Sequence, residues 1–170
     1  MLTPAQLKFS LPGAYELRID RVKRPCPAFS RFLYTAVGGN WYWLDRLSWN
    51  EDRWMQYLDR SAVQVWVAYV EGTPAGYVEL EAQPENNVEI AYFGLLPQFI
   101  GQRLGGHLLS VGTQRAWEMG AKRVWVHTCS LDGAYALRNY QARGFQVYHT
   151  TCHKTTIPVR PIDLVTGSTW

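Results

Sequence analysis

Residues 87–106 constrain this chain more than any other stretch. They read N-V-E-I-A-Y-F-G-L-L-P-Q-F-I-G-Q-R-L-G-G and run without a break into H-L-L-S-V-G-T-Q-R-A-W-E-M-G. A β-rich apolar run over 88–96 stops at Pro97, a loop follows with glycines at 101, 105 and 106, and helical periodicity begins at Leu104. A strand that feeds a helix through a glycine loop leaves the first amides of the helix unpaired, at the positive end of its dipole. Such a junction holds a phosphate or pyrophosphate without any cationic side chain, so an anionic ligand is expected there. Two other kinds of glycine loop are excluded, because neither G-x-G-x-x-G nor G-x-x-x-x-G-K-[ST] occurs.

The flanking sequence supplies elements for this junction to join. Alternation over 15–22 predicts a first half-buried strand, ended by Pro25 and Pro27, and apolar spacings of three and four over 28–37 predict a short helix closed by Gly38 and Gly39. Asn50 is an N-cap for a second helix, with Glu51 and Asp52 in its first turn. Strands are expected over 63–70, 76–82 and 88–96, with turns over 71–75 and 84–86. Alternation sets Tyr77, Glu79 and Glu81 on one face of one strand, and Glu89, Ala91 and Phe93 on one face of the next. A long helix over 104–119, a strand over 124–128, a helix over 134–142 and a strand over 145–153 follow. The tail after Pro158 has no clear periodicity. Strands bracketing helices, with hairpins between, make an α/β fold whose mixed central sheet carries helices on both faces.

A chain of 170 residues is about one domain, so residues 1–170 are expected to fold as one unit. The net charge of +3 suits anionic ligands but not a dedicated nucleic-acid binder, and the eight tryptophans are not accompanied by a basic tract. The odd count of three cysteines, with no C-x-x-C, argues against a disulfide framework and a zinc site, and points to a reducing, cytoplasmic setting. His149, Cys152 and His153 do not converge on one face of a strand, so no metal is expected, and Cys129 reads as a small buried thiol. No apolar run approaches the roughly 20 residues that span a bilayer, and residues 1–20 lack a cationic start followed by an apolar block. Neither membrane insertion nor secretion is expected.

The glycine loop resembles the acetyl-CoA loop of the GNAT acyltransferase superfamily, Gln/Arg-x-x-Gly-x-Gly/Ala. Ile100 stands at the Gln/Arg place, Gly101 and Gln102 follow, Arg103 stands at the first glycine, Leu104 is the spacer and Gly105 the last glycine. Two of three defining places depart. Downstream, A-L-R-N-Y-Q-A-R-G-F over 136–145 is similar to the family's A-x-x-x-Y-x-x-x-G-F helix. The resemblance covers roughly half the chain and implies a mostly antiparallel sheet with a splayed parallel strand pair.

It also implies an N-acetyltransferase that moves an acetyl group from acetyl-CoA to a primary amine of a small molecule or peptide, by direct transfer in a ternary complex. The backbone of Phe93, Gly94, Leu95 and Leu96 would hold the pantetheine arm. Gly101, Gln102, Arg103, Leu104, Gly105 and Gly106 would surround the pyrophosphate, and Asn139 and Tyr140 would complete the cofactor site. Tyr140 would donate to the departing sulfur. Glu89 is the first candidate for the base and His127 the second, its ordinary pKa lying near the working range. Trp41, Tyr42 and Trp43 read equally as core packing and as the acceptor wall that the family places there, and Glu79 and Glu81 are further options for the base, better suited to shaping the pocket's charge. If φ is positive at Arg103 the side chain costs conformational energy, though its guanidinium is then placed to meet a phosphate oxygen. The departures at Ile100 and Arg103 motivate the alternative of a GNAT-like domain that binds CoA, or another ligand, without catalysis. A homodimer is compatible with either.

Overall fold

The computed structural model describes residues 1–13, 15–152, 154 and 156. Within these, five strands form one sheet in chain order: β1 (Leu17–Arg21), β2 (Val63–Val70), β3 (Thr73–Gln83), β4 (Asn87–Leu95) and β5 (Arg123–Val126). The first four pair antiparallel, and β4 and β5 are parallel. Helices α1 (Pro27–Gly38) and α2 (Glu51–Leu58) cover one face, and α3 (Leu104–Glu118) and α4 (Ala136–Ala142) the other. No helix among the described residues is long and apolar enough to cross a membrane.

Each face has its own core. Leu33, Tyr34 and Val37 of α1 and Trp54 of α2 pack on Val63, Val65, Val67 and Tyr77. On the opposite face Leu108, Leu109 and Ala116 of α3 and Tyr140 of α4 pack on Val78, Leu80, Val88, Ile90 and Val124. Burying each such aliphatic side chain contributes about 1.5–3 kcal/mol. Gly112 lets α3 lie close to β3, since a Cβ there would come within 2.9 Å of Val78. Local signals begin and end the helices. Pro27 starts α1, the Asn50 side chain accepts from the Arg53 amide at 3.0 Å, and Gly120, with φ +84°, stops α3.

Four expectations need correction. The β2–β3 turn is shorter than residues 71–75: Glu71 and Gly72, both at positive φ, make a two-residue loop, and 73–75 belong to β3. The strand from Phe145 does not form among the described residues. Phe145 enters the core, but Val147 and Tyr148 are exposed and no described neighbour completes a ladder. His153 and the tail after Pro158 lie outside the described residues. Cys129 is exposed, as are Cys26 and Cys152, because β5 ends at Val126 and 127–130 lie in the following loop. The fourth concerns β4, where Glu79 pairs with Tyr92 but Leu80 with Ile90. Ala91 is therefore the extra residue of a bulge, and the alternation changes phase there. Phe93 joins Val88 and Ile90 on the α3 face, whereas Tyr92 faces α1 and α2.

One ionic contact ties the α1–α2 connection to the sheet. Arg46 donates through Nη1 to Glu79 Oε2 (3.1 Å) and through Nη2 to Glu79 Oε1 (2.8 Å), with the two side chains 6% and 2% exposed. The rings of Trp49, Trp54, Tyr57 and Tyr92 surround the guanidinium at 4.1–5.4 Å. The Tyr57 hydroxyl donates to Glu79 Oε1 at 2.6 Å. Burial opposes the charge on Arg46, but the Glu79 carboxylate more than offsets it and holds the guanidinium pKa above its usual value.

Removing one member of such a pair leaves the other charged and buried, at a cost of about 3–5 kcal/mol. Glu79→Gln is expected to lower the urea midpoint accordingly. The double replacement Arg46→Met with Glu79→Leu should recover most of that loss. If the single change leaves the midpoint in place, the pair does not hold this connection down.

Candidate active site

The site begins where the sheet divides. Parallel pairing runs from Asn87 with Arg123 to Ile90 with Val126 and stops there, while β4 continues through the Ala91 bulge to Leu95. One edge of 91–95 stays paired to β3. The other faces a wedge in which main-chain N–H and C=O groups have no strand partner among the described residues, and an extended ligand carrying amides can complete such an edge. Phe93 lines the α3 side of this wedge and packs against Tyr140, ring centroids 6.0 Å apart. The Gly94 Cα is closed off by α1, because a Cβ there would lie 2.5 Å from Val37 Cγ1. Leu96 spends its amide on Ala75 O at 2.9 Å.

At the end of the wedge stands the start of α3. Gly101 has φ +88° and Arg103 has φ +62°, so the arginine occupies a left-handed conformation as the N-cap residue. The cap has no side-chain hydrogen bond, and no acidic residue lies in the first turn. Among the described residues the amides of Arg103, Leu104, Gly105 and Gly106 have no acceptor outside the helix. The two glycines of the turn differ in role. A Cβ on Gly105 would look into the wedge, 3.6 Å from Leu95 Cδ1, 3.9 Å from Asn139 Nδ2 and 4.0 Å from Phe93 Cζ. On Gly106 it would collide with Arg143 Nη1 at 2.5 Å and meet Ser10 Oγ at 3.0 Å.

Arg143 was not legible as a site residue from its position beside Gly144. Its side chain makes one hydrogen bond among the described residues, a long one from Nη1 to Asn139 Oδ1 at 3.4 Å, and its Nε is buried without an acceptor. The Arg143 guanidinium, over Gly106, and Arg103, at the cap, thus put two arginines at the positive end of α3, a composition that favours an anion there. The N-terminal segment braces the same turn. Ser10 O accepts from His107 Nδ1 (2.8 Å), the Ser10 amide donates to Ser110 Oγ (2.9 Å), and Gly13 packs against Gln102 and Arg103.

Tyr140 lies between Phe93 and Phe145, 7% exposed, and its hydroxyl makes no hydrogen bond among the described residues. Burial first, and Asp132 second, raise the phenol pKa well above its ordinary value, so it stays protonated through the neutral range. Glu89 is half-buried on the opposite face and neighbours Glu81 on β3 and Trp125 on β5. Burial and Glu81 raise its pKa, while His127 and the hydrogen bond from Gln83 pull it down. His127 is exposed, just past the end of β5.

The wall expected to meet the acceptor is formed by the α1–α2 connection. Trp43 is core: it fills the space a side chain on Gly38 would need and touches Tyr34, Tyr77 and Tyr92 at 4.8–6.2 Å between centroids. Trp41 instead reaches across to Gly133 in the loop before α4, where a Cβ would be 3.4 Å away. Tyr42 is half-buried with φ +56°. Glu79, held by Arg46 and Tyr57, has no charge left to present. The signal for Arg46 was an arginine amid Trp41, Trp43 and Trp49, which reads as ordinary loop composition until the fold brings Glu79 beneath it.

The fold recurs in known proteins. Residues 29–145 match the family model described as Acetyltransferase (GNAT) family. A comparison with curated proteins found no match. Among solved structures, the fold is similar to an aminoglycoside acetyltransferase, meta-AAC0020, from an uncultured soil metagenomic sample in complex with sisomicin. It has a TM-score of 0.68 and 16% identity over 84% of this chain and 96% of that one. Aminoglycoside N-acetyltransferase AAC(6')-Iy in complex with CoA gives 0.63 and 14%, over 86% and 99%. The putative acetyltransferase YycN from Bacillus subtilis gives 0.61 and 20%, over 83% and 100%. With the family model spanning the divided sheet, the open start of α3 and the tyrosine helix, this chain belongs to the GNAT acetyltransferase family.

Proposed function

We propose that this chain is a single-domain, cytoplasmic N-acetyltransferase that moves an acetyl group from acetyl-CoA to a primary amine of a small molecule or peptide, by direct transfer. The observation that carries this reading is the row of unpaired amides at the start of α3, flanked by Arg103 and Arg143, at the end of a wedge that leads to Tyr140. Similar folds have been solved with CoA and with sisomicin, and both ligands suit the chemistry of this cleft. The amides and guanidinium groups bind the diphosphate, and the open edge of β4 binds the amide-bearing arm. Asn139, beside Gly105, lines the cleft between them.

Acetyl-CoA supplies an activated acyl group as a thioester. The acceptor nitrogen bonds to the acyl carbon as the C–S bond breaks, and Glu89 takes the proton from nitrogen, directly or through one water. Tyr140, whose pKa lies above that of a thiol, holds its proton and stabilises the departing thiolate by a hydrogen bond. Glu89, with no arginine on it among the described residues, gives the acceptor side a negative charge that draws a protonated amine, and Trp41 and Tyr42 bound its entrance. His127, exposed outside β5, is the weaker candidate for the base.

Purified protein assayed for thiol release from acetyl-CoA against aminoglycosides, polyamines and peptide amines is expected to turn over at least one acceptor. CoA binding without turnover on any of them, with Tyr140→Phe indistinguishable from wild type, would identify a binding module instead. Tyr140→Phe is expected to lower kcat by roughly 10²-fold. Glu89 works unprotonated, and its pKa is raised, so kcat/KM should fall with acid along a limb lying above the ordinary carboxylate range. Glu89→Gln should remove that limb and lower kcat/KM at neutral pH by roughly 10²-fold.

Arg103→Gly is expected to act in two directions. Relief of the left-handed arginine should raise stability by about 1 kcal/mol, read from the thermal midpoint. Loss of the guanidinium should weaken CoA binding by roughly tenfold in calorimetry. Unchanged affinity would make Arg103 a bystander.

A further inference from the structure

Gln83 ends β3, and its side chain spans from β3 across β4 to β5. Its Nε2 donates to Glu89 Oε2 at 2.7 Å, and its Oε1 accepts from Trp125 Nε1 at 3.1 Å. The orientation of this amide follows from chemistry alone. An indole N–H can only donate, so the Gln83 carbonyl must face Trp125 and its NH₂ must face the carboxylate. The sheet register sets the three side chains together: Glu89 lies beside Glu81 on one side and Trp125 on the other, and Gln83 follows Glu81 by two residues on the same face. Glu89 Oε1 makes no hydrogen bond among the described residues.

We propose that Gln83, clamped by Trp125, is a positioning residue that holds Glu89 Oε2 and so aims Oε1 at the acceptor nitrogen or the water that carries its proton. This rests on the reading of Glu89 as the base. A free glutamate in a strand has several rotamers, and one oxygen tied at 2.7 Å removes most of that freedom before the acceptor arrives. The tether also favours the ionised form. Around Glu89, Glu81 and Glu79 of β3 and burial itself favour protonation, whereas His127 after β5 and the Gln83 amide favour the charge. Of these, Gln83 alone touches the carboxylate with a neutral donor, so it shifts the proton affinity without adding a charge that would repel a protonated amine.

The test compares wild type with Gln83→Met, which keeps the length and removes the donor, and with Trp125→Phe, which removes only the clamp. Carbon NMR of the Glu89 carboxyl follows its titration, and the pH profile of kcat/KM follows the acid limb in the same proteins. The expected result is that the Glu89 midpoint and the acid limb both move to higher pH in Gln83→Met, and by less in Trp125→Phe. The loss in kcat/KM should be roughly tenfold below the midpoint and shrink above it. A Glu89 midpoint that does not move in either variant overturns the tether and leaves the base intact, provided Glu89→Gln still removes the acid limb. A midpoint that moves while the limb stays in place shows that Glu89 is not the base, and the positioning role falls with it.

Discussion

Parallel pairing between β4 and β5 ends at Ile90 and Val126 because β4 carries an extra residue, Ala91, opposite the Glu79–Leu80 step of β3. A bulge bends its strand and increases the local twist, so the far half of β4 leaves β5 while keeping β3. Two consequences follow from that one residue. The edge of 91–95 loses its neighbour and becomes a place for an extended ligand. The phase of alternation also changes, which puts Glu89 and Tyr92 on the α1–α2 face while Phe93, against Tyr140, stays on the α3 face. On the proposed reading Glu89 and Tyr140 act together, and from opposite faces of a closed sheet they could not share a substrate. The wedge is the gap through which one ligand reaches both.

On the α1–α2 face, proposed to take the acceptor, charge pairing separates the carboxylates. Glu79 has Arg46 and Tyr57, and Glu81 has Arg60 Nη2 at 2.8 Å with the Tyr57 hydroxyl nearby at 3.1 Å. An arginine at hydrogen-bond distance occupies the oxygens of its carboxylate and leaves less of it open to a substrate. Glu89 has no arginine on it among the described residues, and Gln83 is neutral. The three acidic side chains therefore divide into two that organise the wall and one, Glu89, with an oxygen that has no partner among the described residues.

Much of this was readable before folding, where the signal is local. The limits of β2 at 63 and 70, the Asn50 cap, the proline at the start of α1 and the strand, loop and helix around residues 87–118 depend on periodicity and capping within a few residues. What escaped depends on partners far along the chain. A bulge is one residue that has nothing opposite it, and alternation over 88–96 shows no mark of it. The Arg46–Glu79 pair joins positions 33 apart, and neither residue type in its place announces burial. The strand expected from Phe145 has β-forming residues, yet an isolated run of them gains nothing without a neighbouring ladder. Gly106, one residue past the last place of the family pattern, carries a packing role with Arg143 and Ser10, and Arg143 itself left no sequence mark.

That packing bears on why an arginine is tolerated at position 103. Left-handed arginine costs roughly 1–2 kcal/mol, and it sits at a helix end that already carries about half a positive charge, with a second guanidinium over Gly106. Conformation and electrostatics both oppose the arrangement in the free protein. A structural role would ask for an acceptor to hold Arg103 in place, yet its side chain makes no hydrogen bond to a described residue, and the first turn of α3 contains no acid. A phosphate group reverses the sign of the electrostatic part, because amides, Arg103 and Arg143 then converge on negative oxygen. On the proposed reading the strain is a cost carried in the unliganded state and offset when the diphosphate arrives. The loop would thus exchange the close backbone approach that glycine permits for charge.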